Sequence, residues 1–218
     1  MEKWGSGIYL LGQYHRYQTG LWLLKHEDEG AIIEMPPYFE NEVVPYKLCK
    51  RISQDYNVKI KYFLCSHAHG DHFCQKTYNE AKKNFPQAKI YLQNGFKKRI
   101  KNKARTKFFD EEQHLYLANE PIILVHAPKH SWTDTMIVFR GTIFTGDWEL
   151  NTVRSVHDGK KYAVPMETRL KSIEKMELFE KRYNYNIHRV FSVHANDRRE
   201  NVDFRALMAD TKNDRKLW

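Results

Sequence analysis

The sequence predicts a mixed α/β fold. Three features predict it: short apolar segments of strand length, amphipathic segments of helical period between them, and histidines or aspartates at the ends of the strand-like runs. At 218 residues the chain is long enough for one sizeable core and short for two, so a single domain over residues 1–218 is expected. Hydrophobic residues at 41% and aromatics at 14% suit a packed globular protein rather than a disordered one.

Residues 7–11 (GIYLL), 20–24 (GLWLL) and 31–35 (AIIEM) are apolar segments separated by polar or Gly-containing stretches, as successive strands are. Pro36 and Pro37 stop the third. From Pro45 to Asp55, Leu48 and Ile52 among Lys, Arg and Gln fit an amphipathic helix, and the strand-like KIKYFLCS then runs into His67. Residues 75–84 read as a helix, Pro86 breaks it, and Lys89 to Leu92 read as a short strand. PIILVHAP is a further β-rich run, ending at Pro128 just before His130. MIVF, the turn pair Arg140-Gly141 and TIFTGD predict a hairpin whose second strand delivers Asp147. Residues 166–182, with Leu170, Ile173, Met176, Leu178 and Phe179 apolar among charges, predict one surface helix. HRVFSV is a last strand with His194 at its end. No internal repeat or low-complexity linker interrupts the chain.

No apolar run reaches the roughly 20 residues that span a bilayer, and MEKWGSGIYLLGQ lacks the pattern of a signal peptide. A cytoplasmic protein with no membrane partner is expected. Cys49, Cys65 and Cys74 are odd in number and match no zinc-ribbon or CxxC spacing, so reduced thiols fit better than disulfides. Cys74, two residues after His72, reads first as a small packing residue and second as a neighbour of the site.

The net charge of +9 favours anionic partners, including nucleic acid and phosphorylated or coenzyme A-linked metabolites, without choosing among them. Lys97, Lys98, Arg99, Lys101, Lys103, Arg105 and Lys107 carry much of the excess, with Phe96, Phe108 and Phe109 nearby. A solvated face is the first reading of this stretch, and an anion-binding rim the second.

Chemistry concentrates in Ser66-His67-Ala68-His69-Gly70-Asp71-His72, where His67, His69, Asp71 and His72 are four potential metal ligands on one turn after a predicted strand. Imidazole nitrogen and carboxylate oxygen suit zinc, iron or manganese, and such dense placement lets several side chains converge on one point. An isolated HxH would be weak evidence. The complete HxHxDH after a strand is strong.

On this motif, together with APKHS, FTGDW and FSVHAND, the chain resembles the metallo-β-lactamase superfamily over most of its length. The resemblance implies a four-layer αββα sandwich with the metals at one edge, on loops that follow strands. It implies His67, His69 and His130 on a first metal, Asp71, His72 and His194 on a second, and Asp147 between the two. Such a bridge points to the glyoxalase-like, two-metal branch rather than to a typical zinc β-lactamase. Three features depart from the family pattern: Glu34 where Asp is frequent, Lys129 for the usual glycine before the histidine, and the pair Phe73-Cys74 for small residues after the motif. Glu34 could still support the site through a hydrogen bond to a ligand.

The expected function is therefore a metal-dependent hydrolase with two divalent ions, zinc first and iron or manganese as alternatives. A bridging hydroxide oriented by Asp71 would attack a small ester, thioester or lactone. A phosphodiesterase acting on a nucleotide or nucleic acid is the second reading, supported by the basic stretch and by the HGDH form around Gly70. A mononuclear iron oxidoreductase of persulfide-dioxygenase type is the third, and a non-catalytic binding scaffold is disfavoured by the complete ligand set. His15, His26, His114, His126, His157 and His188 have no motif support. His15 and His157 fall in loops near the site edge, and with Trp148 and Tyr162 they are the candidates for substrate contact, packing being the simpler role for the last two.

Overall fold

The computed structural model describes residues 1–213. Seven strands, β1 (Glu2–Gly5), β2 (Ile8–Tyr14), β3 (Thr19–His26), β4 (Glu29–Ile33), β5 (Lys59–Leu64), β6 (Lys89–Gln93) and β7 (Thr106–Phe109), lie side by side in chain order in one sheet. β1 to β4 pair antiparallel, and β4 to β7 pair parallel. Parallel neighbours need crossovers, and helices α1 (Pro45–Asp55) and α2 (Gln75–Asn84) supply two of them. Pro45 opens α1 at a position where a missing N–H costs nothing.

A second sheet has the order β13-β12-β11-β10-β9-β8. Its strands are β8 (Glu112–Leu117), β9 (Glu120–His126), β10 (Thr135–Phe139), β11 (Thr142–Phe144), β12 (Arg189–Phe191) and β13 (Arg198–Glu200). The β10–β11 hairpin turns on Arg140 and Gly141, both at positive φ (48° and 69°), which matches the twist of the strands it joins. β11 and β12 are parallel, and α3 (Met166–Glu177) and α4 (Phe179–Tyr183) lie in the connection between them. The last described element is α5 (Phe204–Asn213).

Three apolar layers hold these parts together, and they define four structural layers. Strand side chains alternate, so β3 sends Leu21 and Leu23 to α1 and α2, and Trp22 and Leu24 to the opposite sheet. β10 does the same, with Ile137 and Phe139 facing the first sheet and Met136 and Val138 packed with α3 and α5 residues such as Ile173, Met176 and Met208. Because both faces of these strands are covered, they are apolar almost throughout. Each Leu, Ile or Phe so buried contributes about 1.5–3 kcal/mol of burial free energy. The result is an αββα sandwich, as the resemblance implies.

Several elements differ from the sequence expectation. The predicted strand 31–35 ends at Ile33, and Glu34 sits at φ 75°, a left-handed conformation that costs a non-glycine residue about 1–2 kcal/mol. The single helix expected over 166–182 is two, separated at Leu178, whose side chain is exposed instead of buried. The basic stretch is not one face. A short 3-10 helix (Asn94–Lys98) is followed by irregular chain and then β7. No helix among the described residues is long and apolar enough to cross a membrane.

Candidate metal centre

Parallel pairing places the C-terminal ends of β4 and β5 together in one sheet and those of β11 and β12 together in the other. β9 ends beside the start of β10, whose Thr135 N–H donates to Ser66 O at 2.7 Å, a bond that joins the two sheets at this edge. Trp22 Nε1 donates to Val193 O at 2.9 Å and so ties the chain before His194 to the first sheet. Gly146 is at positive φ (59°), and a Cβ there would stand 3.2 Å from Ser66 Cβ, so glycine lets the β11 end approach the histidine turn. His67, His69, Asp71, His72, His130, Asp147 and His194 all meet at this edge.

They form two ligand groups, His67 with His69 and His130, and Asp71 with His72, Asp147 and His194; within each, the ligand atoms lie within 4.8 Å of one another. In the first, His69 Nδ1 is 3.1 Å from His67 Nε2 and 3.2 Å from His130 Nε2. Tetrahedral nitrogens on a metal at about 2.0–2.1 Å would stand about 3.3 Å apart. In the second, His72 Nε2 is 3.2 Å from Asp147 Oδ2 and 3.3 Å from Asp71 Oδ2, and His194 Nε2 is 3.1 Å from Asp147 Oδ1. Asp147 Oδ2 is also 3.7 Å from His130 Nε2 and 3.8 Å from His67 Nε2. Donor types and spacings in both groups fit divalent cations.

Three of the five histidines are hydrogen-bonded from behind through the nitrogen that faces away from the centre, and a fourth, His72, faces a carboxylate there. Ser66 Oγ is 3.1 Å from His67 Nδ1, Tyr17 O accepts from His194 Nδ1 at 2.8 Å, and Glu149 Oε1 accepts from His130 Nδ1 at 3.4 Å. His72 Nδ1 faces Glu34 Oε2 at 3.6 Å. The fully buried Glu34 also accepts from Ser66 N (3.1 Å) and from the Cys65 thiol (3.0 Å), so the strained residue sits under the motif as a bonded support. The His130 loop closes on buried Asp134, whose Oδ2 accepts from the backbone of Lys129, His130 and Ser131 and from Trp148 Nε1.

Electrostatics set His67 and His69 apart from the other three histidines. Burial and then the neighbouring His72 hold His67 well below the usual imidazole range, and burial with His130 takes His69 down to about 4. Burial opposes charge on His72 as well, but the hydrogen bond to Asp147 and the nearby carboxylates of Asp71 and Glu34 outweigh it and raise His72 well above normal. Burial alone would raise Asp147, yet His194 and His72 hold its carboxyl far below the usual range.

Two adjoining cavities, of about 930 and 390 Å³, open over the groups and share Tyr17, His69, Asp71, His130 and His157 in their walls. Gly70 borders the larger one and has no atom near its Cβ position. His15 and Tyr162 line the larger cavity and His157 lines both, its ring 4.5 Å from that of His130. Trp148 lines neither: it is buried, bonded to Ala127 O and Asp134, and belongs to the core. Cys74 precedes α2 and borders neither cavity.

Of the basic stretch, only Lys98 and Arg99 line the larger cavity, and Arg99 donates to Ala68 O. Arg105 bonds to the backbone of Lys82 and Pro86, and Lys97 lies over the Phe108 ring. Residues without a sequence signal also appear here: Tyr17 and Trp132 in the cavity wall, and Glu149 and Asp134 behind His130. None stands in a motif, and loop return alone brings each one in.

No protein-family profile matches the chain, and no curated protein matches it by sequence. Solved structures do match it. The FEZ-1 metallo-β-lactamase from Legionella gormanii superposes with a TM-score of 0.65 at 15% identity, over 98% of this chain and 92% of that one. A metallo-β-lactamase family protein from Thermus thermophilus gives 0.62 at 13% identity, over 94% and 78%. An archaeal superfamily protein from Sulfolobus tokodaii gives 0.61 at 12%, over 94% and 84%. Layer order, edge position of the ligand groups and these superpositions agree: the chain has the metallo-β-lactamase fold.

Proposed function

We propose that this chain is a two-metal hydrolase of small carbonyl esters, with thioesters and lactones in the same class. We further propose that it is a single domain working in the reducing cytoplasm, where its three free cysteines would persist. The observation that carries the reading is Asp147, one carboxylate whose Oδ2 faces His72 on one side and His67 and His130 on the other. His67, His69 and His130 would hold one cation and Asp71, His72 and His194 a second, with Asp147 shared. Zinc suits the donor set best, and iron or manganese is compatible with it. Two such cations would lower the pKa of water toward neutrality and polarise the scissile carbonyl.

The chain's own residues do the rest. Asp71 lines both cavities, so its carboxylate can accept a hydrogen bond from the attacking water and orient it. A cavity of about 930 Å³ takes a substrate larger than a simple acetyl ester. Tyr17, Trp132 and Tyr162, which keep 50%, 50% and 59% of their surface exposed, present aromatic faces to the substrate body. Lys98 and Arg99 add positive charge to the same wall, which favours an anionic substrate and supports phosphodiester cleavage as a second reading.

A metal-supplemented panel of a thioester, a lactone, a phosphodiester and a β-lactam, with Asp147→Asn as the contamination control, tests the proposal. Metal-dependent ester turnover that the variant lacks is expected. Turnover of the phosphodiester alone would favour the second reading. Oxygen uptake with a persulfide and one bound iron would overturn the hydrolase.

A further inference from the structure

Lys129 is fully buried, directly before His130, in a wall that the proposed function fills with cations. An unpaired buried ammonium costs several kcal/mol or shifts its pKa and neutralises. Here it is paired: Nζ donates to Glu149 Oε2 at 2.9 Å and to Arg154 O at 2.7 Å, and lies over the Trp148 ring. The other oxygen of Glu149 is turned away from the lysine. Oε1 accepts from Val156 N at 2.8 Å, from Ser155 Oγ at 3.1 Å and from His130 Nδ1 at 3.4 Å. One carboxylate thus joins three things: a buried cation, the loop that carries His157, and the back of one imidazole of the first ligand group.

We propose that Glu149 is a positioning residue that, held by buried Lys129, fixes the ring and tautomer of His130 so that Nε2 points into the three-histidine group. The geometry requires this division of labour. With Nδ1–H committed to Glu149, the lone pair of His130 is on Nε2, which is the atom 3.2 Å from His69 Nδ1. Asp134 fixes the His130 backbone through three consecutive amides but makes no bond to its ring, so ring rotation is restrained by Glu149. Lys129 in turn keeps the carboxylate from rotating away, since Oε2 is anchored at a distance from the histidine. The departure from glycine at position 129 is explained as one half of this device. Glu149 is two residues beyond Asp147, so the segment that shares one ligand between the groups also orients another.

The inference rests on the proposed metal centre, and the test separates the two. Parent protein, Glu149→Gln, Glu149→Asp and the double variant Lys129→Met/Glu149→Gln are loaded with zinc or cobalt(II). Metal content, affinity by chelator competition, the cobalt absorption spectrum and Tm are measured. Fewer than two metals in the parent would count against the two-metal reading, and the variant-to-parent affinity ratio remains readable for whichever metal His130 holds. Glu149→Gln should weaken one of two metals by about 10- to 100-fold and alter the cobalt spectrum, the size expected of a partner behind a ligand. Should that variant fail to fold, Glu149→Asp keeps the charge that Lys129 needs but withdraws the carboxylate, and the same loss is expected. The double variant removes both charges together and should recover Tm without recovering affinity. Unchanged affinity and spectrum alongside a lowered Tm would make Glu149 a structural staple and overturn the proposal.

Discussion

The two ligand groups are built on opposite electrostatic plans. The first gathers three imidazoles with ring nitrogens 3.1 and 3.2 Å apart and no carboxylate of its own. The second interleaves two imidazoles with two carboxylates, which already neutralise one another through contacts of 3.1 to 3.3 Å. Crowded lone pairs gain from any cation placed among them. Paired charges must give up an existing interaction to accept one. The first group is therefore expected to take up a cation at the smaller electrostatic cost, while each group has a carboxylate behind one of its imidazoles, Glu149 behind His130 and Glu34 behind His72.

The largest effect should come from Asp147, the residue proposed to serve both groups. Asp147→Asn is expected to lower bound metal below two equivalents and hydrolysis by more than about 100-fold, beyond the range produced by partners behind the ligands. Elemental analysis and steady-state kinetics on the same preparation check it, and a variant with full metal and full rate would remove the bridge. His194→Ala touches only the second group, and about one equivalent of metal should remain, held by the three histidines.

Glu34→Gln reaches the second group through His72 alone. Its neutral amide keeps the shape but not the charge behind Nδ1, so an affinity loss of about 10- to 100-fold in one of two metals is expected by chelator competition. Lys98→Gln touches neither group and should raise KM for an anionic ester by a few fold, about 1 kcal/mol or less for an exposed charge. Lys103→Gln, outside the cavity wall, should leave KM unchanged. The effect of Lys98→Gln should shrink as salt rises, because screening acts over about 10 Å at 0.1 M.

How far each part could be read from sequence follows the same division. His67, His69, Asp71 and His72 share one turn, so their convergence is a local property and shows in a seven-residue window. His130, Asp147 and His194 follow from the resemblance alone, because only sheet topology brings their strand ends together. Glu149 was invisible: its partner His130 lies 19 residues away, and nothing in DWEL marks a residue that turns back. The basic stretch read as one feature because charge carries no orientation, whereas the 3-10 helix and β7 send only Lys98 and Arg99 to the cavity.

Strands show a similar split. β3, β4 and β9 are legible because they are largely buried and apolar, and β5 because its second half, Phe63 and Leu64, is buried and apolar. β13 is Arg-Arg-Glu with no buried residue and carries no pattern of a strand, and β8 alternates over only its last four residues, with Leu115 and Leu117 buried, which is too short a run to stand out. Leu178 fitted the apolar stripe of a helix that the structure breaks at that residue.

Anomalous diffraction from crystals of the zinc-loaded protein, with zinc content measured on the same sample, tests the two-group centre most directly. Two peaks are predicted, one among His67, His69 and His130 and one among Asp71, His72 and His194, with Asp147 in reach of both. A single peak confined to the three histidines, at saturating zinc and with the second group still internally paired, would contradict it.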